Sequence, residues 1–148
     1  MTSDRMFAFT SLYGRMNSDT MHSVTACREQ LASIYHESIV FSDPFHTING
    51  LDDLSQYFHQ MYRSIESIHF RYGHYWHNDE TDFLRWTMTY RHPAISKGKE
   101  IELEGGTELI WQSDLVIQHT DLFDAGAMLY EHLPVIGWAI GKVKERMA

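Results

Sequence analysis

The chain has 148 residues, of which 43% are hydrophobic, a size and composition that predict one compact domain with a filled core. A formal net charge of −8 repels phosphate backbones and anionic lipid, and the one tight basic group, Lys142, Lys144 and Arg146, reads as a helix end favouring cations, so neither a nucleic acid nor a membrane surface is expected as partner. The single cysteine, Cys27, excludes an internal disulfide, and with no apolar leader and no apolar run of about 20 residues the chain reads as cytoplasmic.

Helical spacing comes first. In residues 5–16, Phe9, Leu12, Tyr13 and Met16 fall at i, i+3, i+4 and i+7 and share one face. Asn17-Ser18-Asp19-Thr20 interrupts the pattern. A second helix is expected from there, capped by Ser18 or Asp19, carrying Met21, Val24, Leu31, Ile34 and Tyr35 inward and ending near Glu37. A short strand over residues 39–41 leads to Asp43-Pro44, where the proline keeps Asp43 out of the helical region and the chain turns. After the Asn49-Gly50 break, residues 51–64 read as a third helix, with Leu51, Leu54, Phe58, Met61 and Tyr62 on a buried face and Asp52 and Asp53 complementing the dipole.

The period then changes to two. Residues 68–76 alternate, with Ile68, Phe70, Tyr72, His74 and Trp76 on one side. A turn at Asn78-Asp79-Glu80 precedes a second long strand, with Leu84, Trp86, Met88 and Tyr90 inward and Phe83, Arg85, Thr87, Thr89 and Arg91 outward. Residues 101–111 form a third strand, in which Gly105-Gly106 predicts a bulge. Gln112-Ser113-Asp114 turns into a fourth strand, residues 115–123, with Ile117, His119, Asp121 and Phe123 on one face. A C-terminal helical segment follows, interrupted by Pro134 and Gly137, and its apolar stretch 129–138 is expected to close a cavity mouth or dock a partner.

Three helices followed by four long antiparallel strands predict an α+β domain, a curved sheet wrapped around three N-terminal helices with a C-terminal helical segment. Long strands curl, and helices laid across the hollow enclose a cavity. Trp76, Trp86, Met88, Tyr90, Leu109 and Trp111 are its expected wall, Phe41, Phe45, Tyr35 and Tyr57 give Asp43 apolar surroundings, and Phe58 is a further expected ligand contact. Such a wall favours a small apolar or aromatic ligand, although the same stripe serves equally as packed core. Asp43 is either a pocket base or a turn cap. His119 and Asp121 are either an acid–base pair or a buried polar pair that satisfies itself. His69, His74 and His77 cannot converge on a metal, because alternation sends His74 to the other face; no metal or cofactor is expected.

The element order, the Phe41-Ser42-Asp43-Pro44 turn, the Ile48-Asn49-Gly50 lead into the third helix and the terminal strand through His119-Thr120-Asp121 resemble, over nearly the whole chain, the nuclear transport factor 2-like superfamily. That cone-shaped fold includes ketosteroid isomerases and polyketide cyclases of the SnoaL type. The resemblance implies cofactor-free isomerase- or cyclase-like proton transfer on a small apolar carbonyl compound, or else a non-catalytic ligand-binding or interaction module. It also implies a homodimer through the outer sheet face that carries Arg85, Thr87, Thr89 and Arg91. It puts Asp43 at the isomerases' proton-shuttling aspartate, His119 and Phe123 at pocket positions, and Tyr13 at the oxyanion tyrosine. The isomerases' second oxyanion residue, an aspartic acid, falls here on Thr107, which argues against steroid isomerisation; Glu108 would replace it only if a Gly105-Gly106 bulge shifted the register by one. Cyclases of this fold carry an inward acidic residue late in the chain, and Asp121 with His119 would return or relay the proton.

Overall fold

The computed structural model describes residues 4–128 and 134–148. Its elements run α1 (Asp4–Arg15), α2 (Val24–Leu31), β1 (Tyr35–Ser42), β2 (Thr47–Asn49), α3 (Leu51–Ser64), β3 (Ser67–His77), β4 (Thr81–Arg91), β5 (Ile101–Gln112), β6 (Leu115–Phe123), α4 (Ala125–Met128) and α5 (Pro134–Met147). The six strands form one curved, open sheet in the order β2-β1-β6-β5-β4-β3. Only β1 and β6 pair in parallel; the other neighbours are antiparallel. The α+β cone expected from the sequence is therefore present, with one strand more than expected, the short β2.

Local chemistry explains most of the boundaries. Ser23, rather than Ser18 or Asp19, caps α2, its hydroxyl accepting from the Ala26 amide at 3.0 Å, so that helix is shorter at both ends than its apolar spacing suggested. Tyr35, expected in the helix, instead opens β1, because the chain from there pairs with both β2 and β6. At the β5–β6 hairpin Ser113 and Asp114 both take positive φ (52° and 66°), the conformation that a two-residue turn between right-twisted strands requires.

Helices α1 and α3 lay Met6, Phe9, Leu12, Leu54, Phe58 and Tyr62 against the hollow of the sheet, where they meet Leu84, Leu109, Trp111 and Val116. A second cluster, Trp86, Met88, Tyr90, Ile101 and Leu103, fills the other end. Three register expectations need correction. Gly105-Gly106 is not a bulge: β4 and β5 pair without interruption through Trp86–Gly105 and Arg85–Gly106. The glycines are there for ring clearance, since a Cβ on Gly105 would stand 2.4 Å from the Trp86 ring and one on Gly106 2.5 Å from Phe83. Thr107 thus keeps its inward register and Glu108 does not replace it. In the antiparallel ladders the irregularities lie between Tyr72 and Tyr75 in β3 and beside Trp111 in the β5–β6 ladder, and the parallel β1–β6 pairing is interrupted between Tyr35 and Val40. The first moves Trp76 outward, leaving it 52% exposed; the second makes Val116, not Ile117, the buried residue.

Candidate active site

The inner ends of the elements enclose a small cavity. Tyr13 from α1, Phe41 and Asp43 from β1 and its turn, Tyr57, Phe58, Met61 and Tyr62 from α3, Ile68 and Phe70 from β3, Trp86 and Met88 from β4, and Asp121 and Phe123 from β6 line it. Its volume is about 70 Å³, with an adjoining recess of about 20 Å³ bordered by Phe9, Thr107 and His119. The wall is aromatic and aliphatic except for two carboxylates and the tyrosine hydroxyls.

The two carboxylates are held differently. Asp43 follows β1, and its Oδ1 accepts from the backbone amides of Phe45 at 2.8 Å and His46 at 2.7 Å, while its own amide donates to the His46 carbonyl at 3.0 Å. Proline at 44 fixes this turn, and the aspartate closes it. The His46 Nδ1 lies 3.2 Å from Oδ1, and the Tyr57 hydroxyl donates to Oδ2 over 3.4 Å. Burial and the neighbouring Asp43 carboxylate hold the Tyr57 phenol well above its ordinary range, so it stays a donor.

Asp121 is positioned by side chains alone. Alternation along β6 turns His119 and Asp121 to the same face, and the His119 Nε2 stands 2.7 Å from Asp121 Oδ1. The Thr107 hydroxyl, directly across on β5, donates to the same oxygen at 2.6 Å and accepts from the Trp86 indole N–H at 2.8 Å. On the other side of the imidazole, Nδ1 is 2.8 Å from the Tyr35 hydroxyl, which is 2.7 Å from that of Tyr13. Burial pushes both phenols well above their ordinary pKa. A neutral imidazole fits one set of hydrogens throughout: Nε2–H donates to Asp121, Tyr35 donates to Nδ1, and Tyr13 donates to Tyr35. None of these bonds uses Asp121 Oδ2.

This architecture has counterparts. The profile of the SnoaL-like domain matches residues 17–119, more than two thirds of the chain. The protein belongs to the SnoaL-like domain family. Solved structures share the fold at low identity. A protein from Catenulispora acidiphila with a ketosteroid isomerase-like fold, solved with trimethylamine, is 10% identical with a TM-score of 0.71, over 89% of this chain and 93% of that one. A candidate SnoaL-like polyketide cyclase from Shewanella putrefaciens is 14% identical (TM-score 0.66, 86% and 95% covered), and an M. tuberculosis epoxide hydrolase of the LEH type is 9% identical (TM-score 0.66, 84% and 85% covered). The sequence has no significant match among curated proteins.

Within this SnoaL-like protein the structure gathers most of the expected residues but not all. Tyr13, Asp43, Tyr57, Phe58, Trp86, Met88, Asp121 and Phe123 line the cavity, and Thr107 and His119 border its recess. Tyr35 is buried behind His119, and Phe45 lies outside the lining against the Phe123 ring, with centroids 6.0 Å apart. Tyr90, Leu109 and Trp111 are packed core rather than cavity wall, and Trp76 lies on the far face of the sheet against Phe83. Tyr13 lines the cavity as expected, with its hydroxyl 2.7 Å from that of Tyr35. The stretch 129–133 falls outside the described residues, while Trp138 is exposed. Sequence reasoning passed over His46, a residue without periodic context, and Phe70, whose inward alternation was legible. Among the described residues no group of His, Cys, Asp or Glu is arranged to hold a metal ion, and no helix is long and apolar enough to cross a membrane.

Proposed function

We propose that the cavity binds a small, largely apolar molecule carrying a carbonyl or enol and transfers a proton on it without a cofactor, in the manner of an isomerase or cyclase. The observation behind this reading is the pair of carboxylates, Asp43 and Asp121, that open into one otherwise apolar cavity. Asp121 is the better base: two donors converge on its Oδ1 and orient it, which leaves Oδ2 to take a proton next to a carbonyl. Asp43 has its Oδ1 engaged by two backbone amides and acts through Oδ2 and Tyr57, either in returning the proton or in orienting the ligand.

The volume limits the substrate. About 70 Å³ is roughly half the ~150 Å³ apolar cavity that accommodates one benzene, so even a single ring requires the lining side chains to give way. A direct test is deuterium uptake: a panel of monocyclic ketones and aldehydes in D₂O, followed by proton NMR with wild type and Asp121→Asn. The expected result is α-proton exchange for at least one compound, slowed about 10²- to 10⁴-fold by the substitution. Equal exchange by the two proteins removes Asp121 as base.

A second reading, a non-catalytic ligand-binding module, draws on the same small volume and on the backbone ties of Asp43. Binding of a panel member without exchange would select it. In either case we infer that the outer sheet face, with exposed Trp76 and Leu122 beside Arg85, pairs two copies of the chain.

A further inference from the structure

We propose that Tyr13, Tyr35, His119 and Asp121 form a reversible proton chain, in which protonation of His119 decides whether Tyr13 offers the cavity a lone pair or an O–H. The inference rests on the reading of the cavity as a ligand site and adds how its polarity is set.

Three observations carry it. The chain is continuous, with links of 2.7, 2.8 and 2.7 Å from Tyr13 to Tyr35, to His119 and to Asp121. Its two ends, Tyr13 and Asp121, line the same cavity, whereas Tyr35 and His119 between them are each 1% exposed. Both ring nitrogens of His119 are engaged, so a proton reaches or leaves the imidazole only through Tyr35 or Asp121.

Two hydrogen arrangements then satisfy every link. With neutral His119 the hydrogens of Tyr13 and Tyr35 point toward Nδ1, and the Tyr13 oxygen faces the cavity as an acceptor. With an imidazolium both ring nitrogens donate, the order of the two hydroxyls reverses, and Tyr13 donates outward. The step between them takes up one proton. A donor in the cavity, such as an enol O–H, gives its proton to the Tyr13 oxygen and is left as the conjugate base; the Tyr13 hydrogen moves to Tyr35 and that of Tyr35 to Nδ1. The charge comes to rest beside the Asp121 carboxylate. Burial holds both phenols far above their ordinary pKa, which disfavours a phenolate at either station.

Among the described residues the rings of Phe41 at 4.4 Å and Phe9 at 5.9 Å also face His119, and Leu109 is its partner across the ladder. Thr107 donates to the shared Asp121 oxygen, Asp43 and Tyr57 line the cavity, and its lining includes no lysine or arginine. Among the described residues that line the cavity the acidic side chains are Asp43 and Asp121, and His46 stands 3.2 Å from Asp43. With the chain empty, Tyr13 and Asp121 both offer acceptors, which suits a hydroxyl or enol ligand; with the chain filled, Tyr13 donates, which suits the carbonyl form.

The test needs no substrate. His119 ring nitrogens and the Tyr13 ring carbon bearing the hydroxyl are followed by NMR in selectively labelled protein across the pH range in which it stays folded. Wild type is expected to show the Nε2–H tautomer at the alkaline end, and the Tyr13 signal is expected to move with the same midpoint as His119. Tyr35→Phe should abolish the Tyr13 response while His119 still titrates, and Tyr13→Phe should keep the Nε2–H tautomer because Tyr35 still donates. A Tyr13 signal that stays flat while His119 titrates, an Nδ1–H tautomer, or a His119 fixed in one protonation state overturns the chain. Absence of deuterium exchange on ketones would sink the proposed reaction without touching these signals, so the two failures are separable.

Discussion

Asp43 and Asp121 face one cavity, yet one is fastened to backbone and the other to side chains, and substitutions should separate their duties. Asp43→Ala removes the acceptor for two amides in a turn whose carboxylate is almost fully buried, and should lower stability by about 1–3 kcal/mol in urea unfolding. Asp43→Asn keeps an oxygen for those amides and should stay within about 1 kcal/mol of wild type. Its effect on α-proton exchange should be smaller than that of Asp121→Asn, because Asp121 has the unengaged oxygen. An exchange rate that falls further in Asp43→Asn than in Asp121→Asn would return the base to Asp43. The sequence left Asp43 as cap or base; the two amide bonds to its Oδ1 were not legible, because they depend on where the amides of Phe45 and His46 point and not on residue type. The pairing of His119 with Asp121 was legible, since alternation alone puts residues two apart on one face.

At the scale of elements, α1 is clasped to the β3–β4 hairpin by one arginine. Arg5 donates to Asp82 through Nε at 2.9 Å and through an Nη at 3.1 Å, and also to the carbonyls of Asn78 and Asp79. Its guanidinium lies over Trp111, 5.3 Å from the ring centroid, and His77 adds a 2.6 Å contact to Asp82. Asp82 is 0% exposed. Burial alone would raise its pKa, but the hydrogen bonds from Arg5 and His77, with their charges, outweigh that and lower it below the usual carboxylate range. A depressed folded pKa contributes stability that is fully present above the unfolded value, about 3.9, and is lost as pH falls through the folded value. Arg5→Ala should therefore cost about 3–5 kcal/mol at neutral pH, and the gap from wild type in urea midpoint should narrow below about pH 4. A gap that is constant with pH would mean that Arg5 acts by packing alone. No local signal announces this clasp, whose partners lie 77 residues apart. The same holds for Trp76: the irregularity between Tyr72 and Tyr75 shifts the alternation, and nothing in the spacing of residues 68–76 reveals it. By contrast α3 and the inward face of β4 were readable, because their periodicity agrees with their packing throughout. Tyr35 illustrates the opposite case, where helical spacing was overruled by strand pairing from distant residues.

For the whole molecule, the sheet has one face covered by helices and one with no helix of the sheet's hollow upon it, and the composition of the second face bears on assembly. Trp76 and Phe83 are in ring contact at 5.7 Å, Gly106 lies beneath Phe83, and Leu122, paired in register with Gly106, is 53% exposed. Around this apolar centre β4 presents Arg85 and Arg91, and β5 presents Glu102 and Glu104 in register with Thr89 and Thr87. A two-fold axis through the centre would set the arginine row of one copy against the glutamate row of the other, which an isologous interface requires and a head-to-tail one does not. Light scattering during gel filtration should then give twice 17.4 kDa for wild type. Arg85→Glu should shift the mass toward that of the single chain by setting like charges together, and Arg85→Glu combined with Glu104→Arg should restore the dimer by exchanging the rows. A wild-type mass of 17.4 kDa, or a double variant as dissociated as Arg85→Glu, would rule out pairing through this face and leave Trp76 and Leu122 as isolated exposed side chains of the kind most surfaces tolerate.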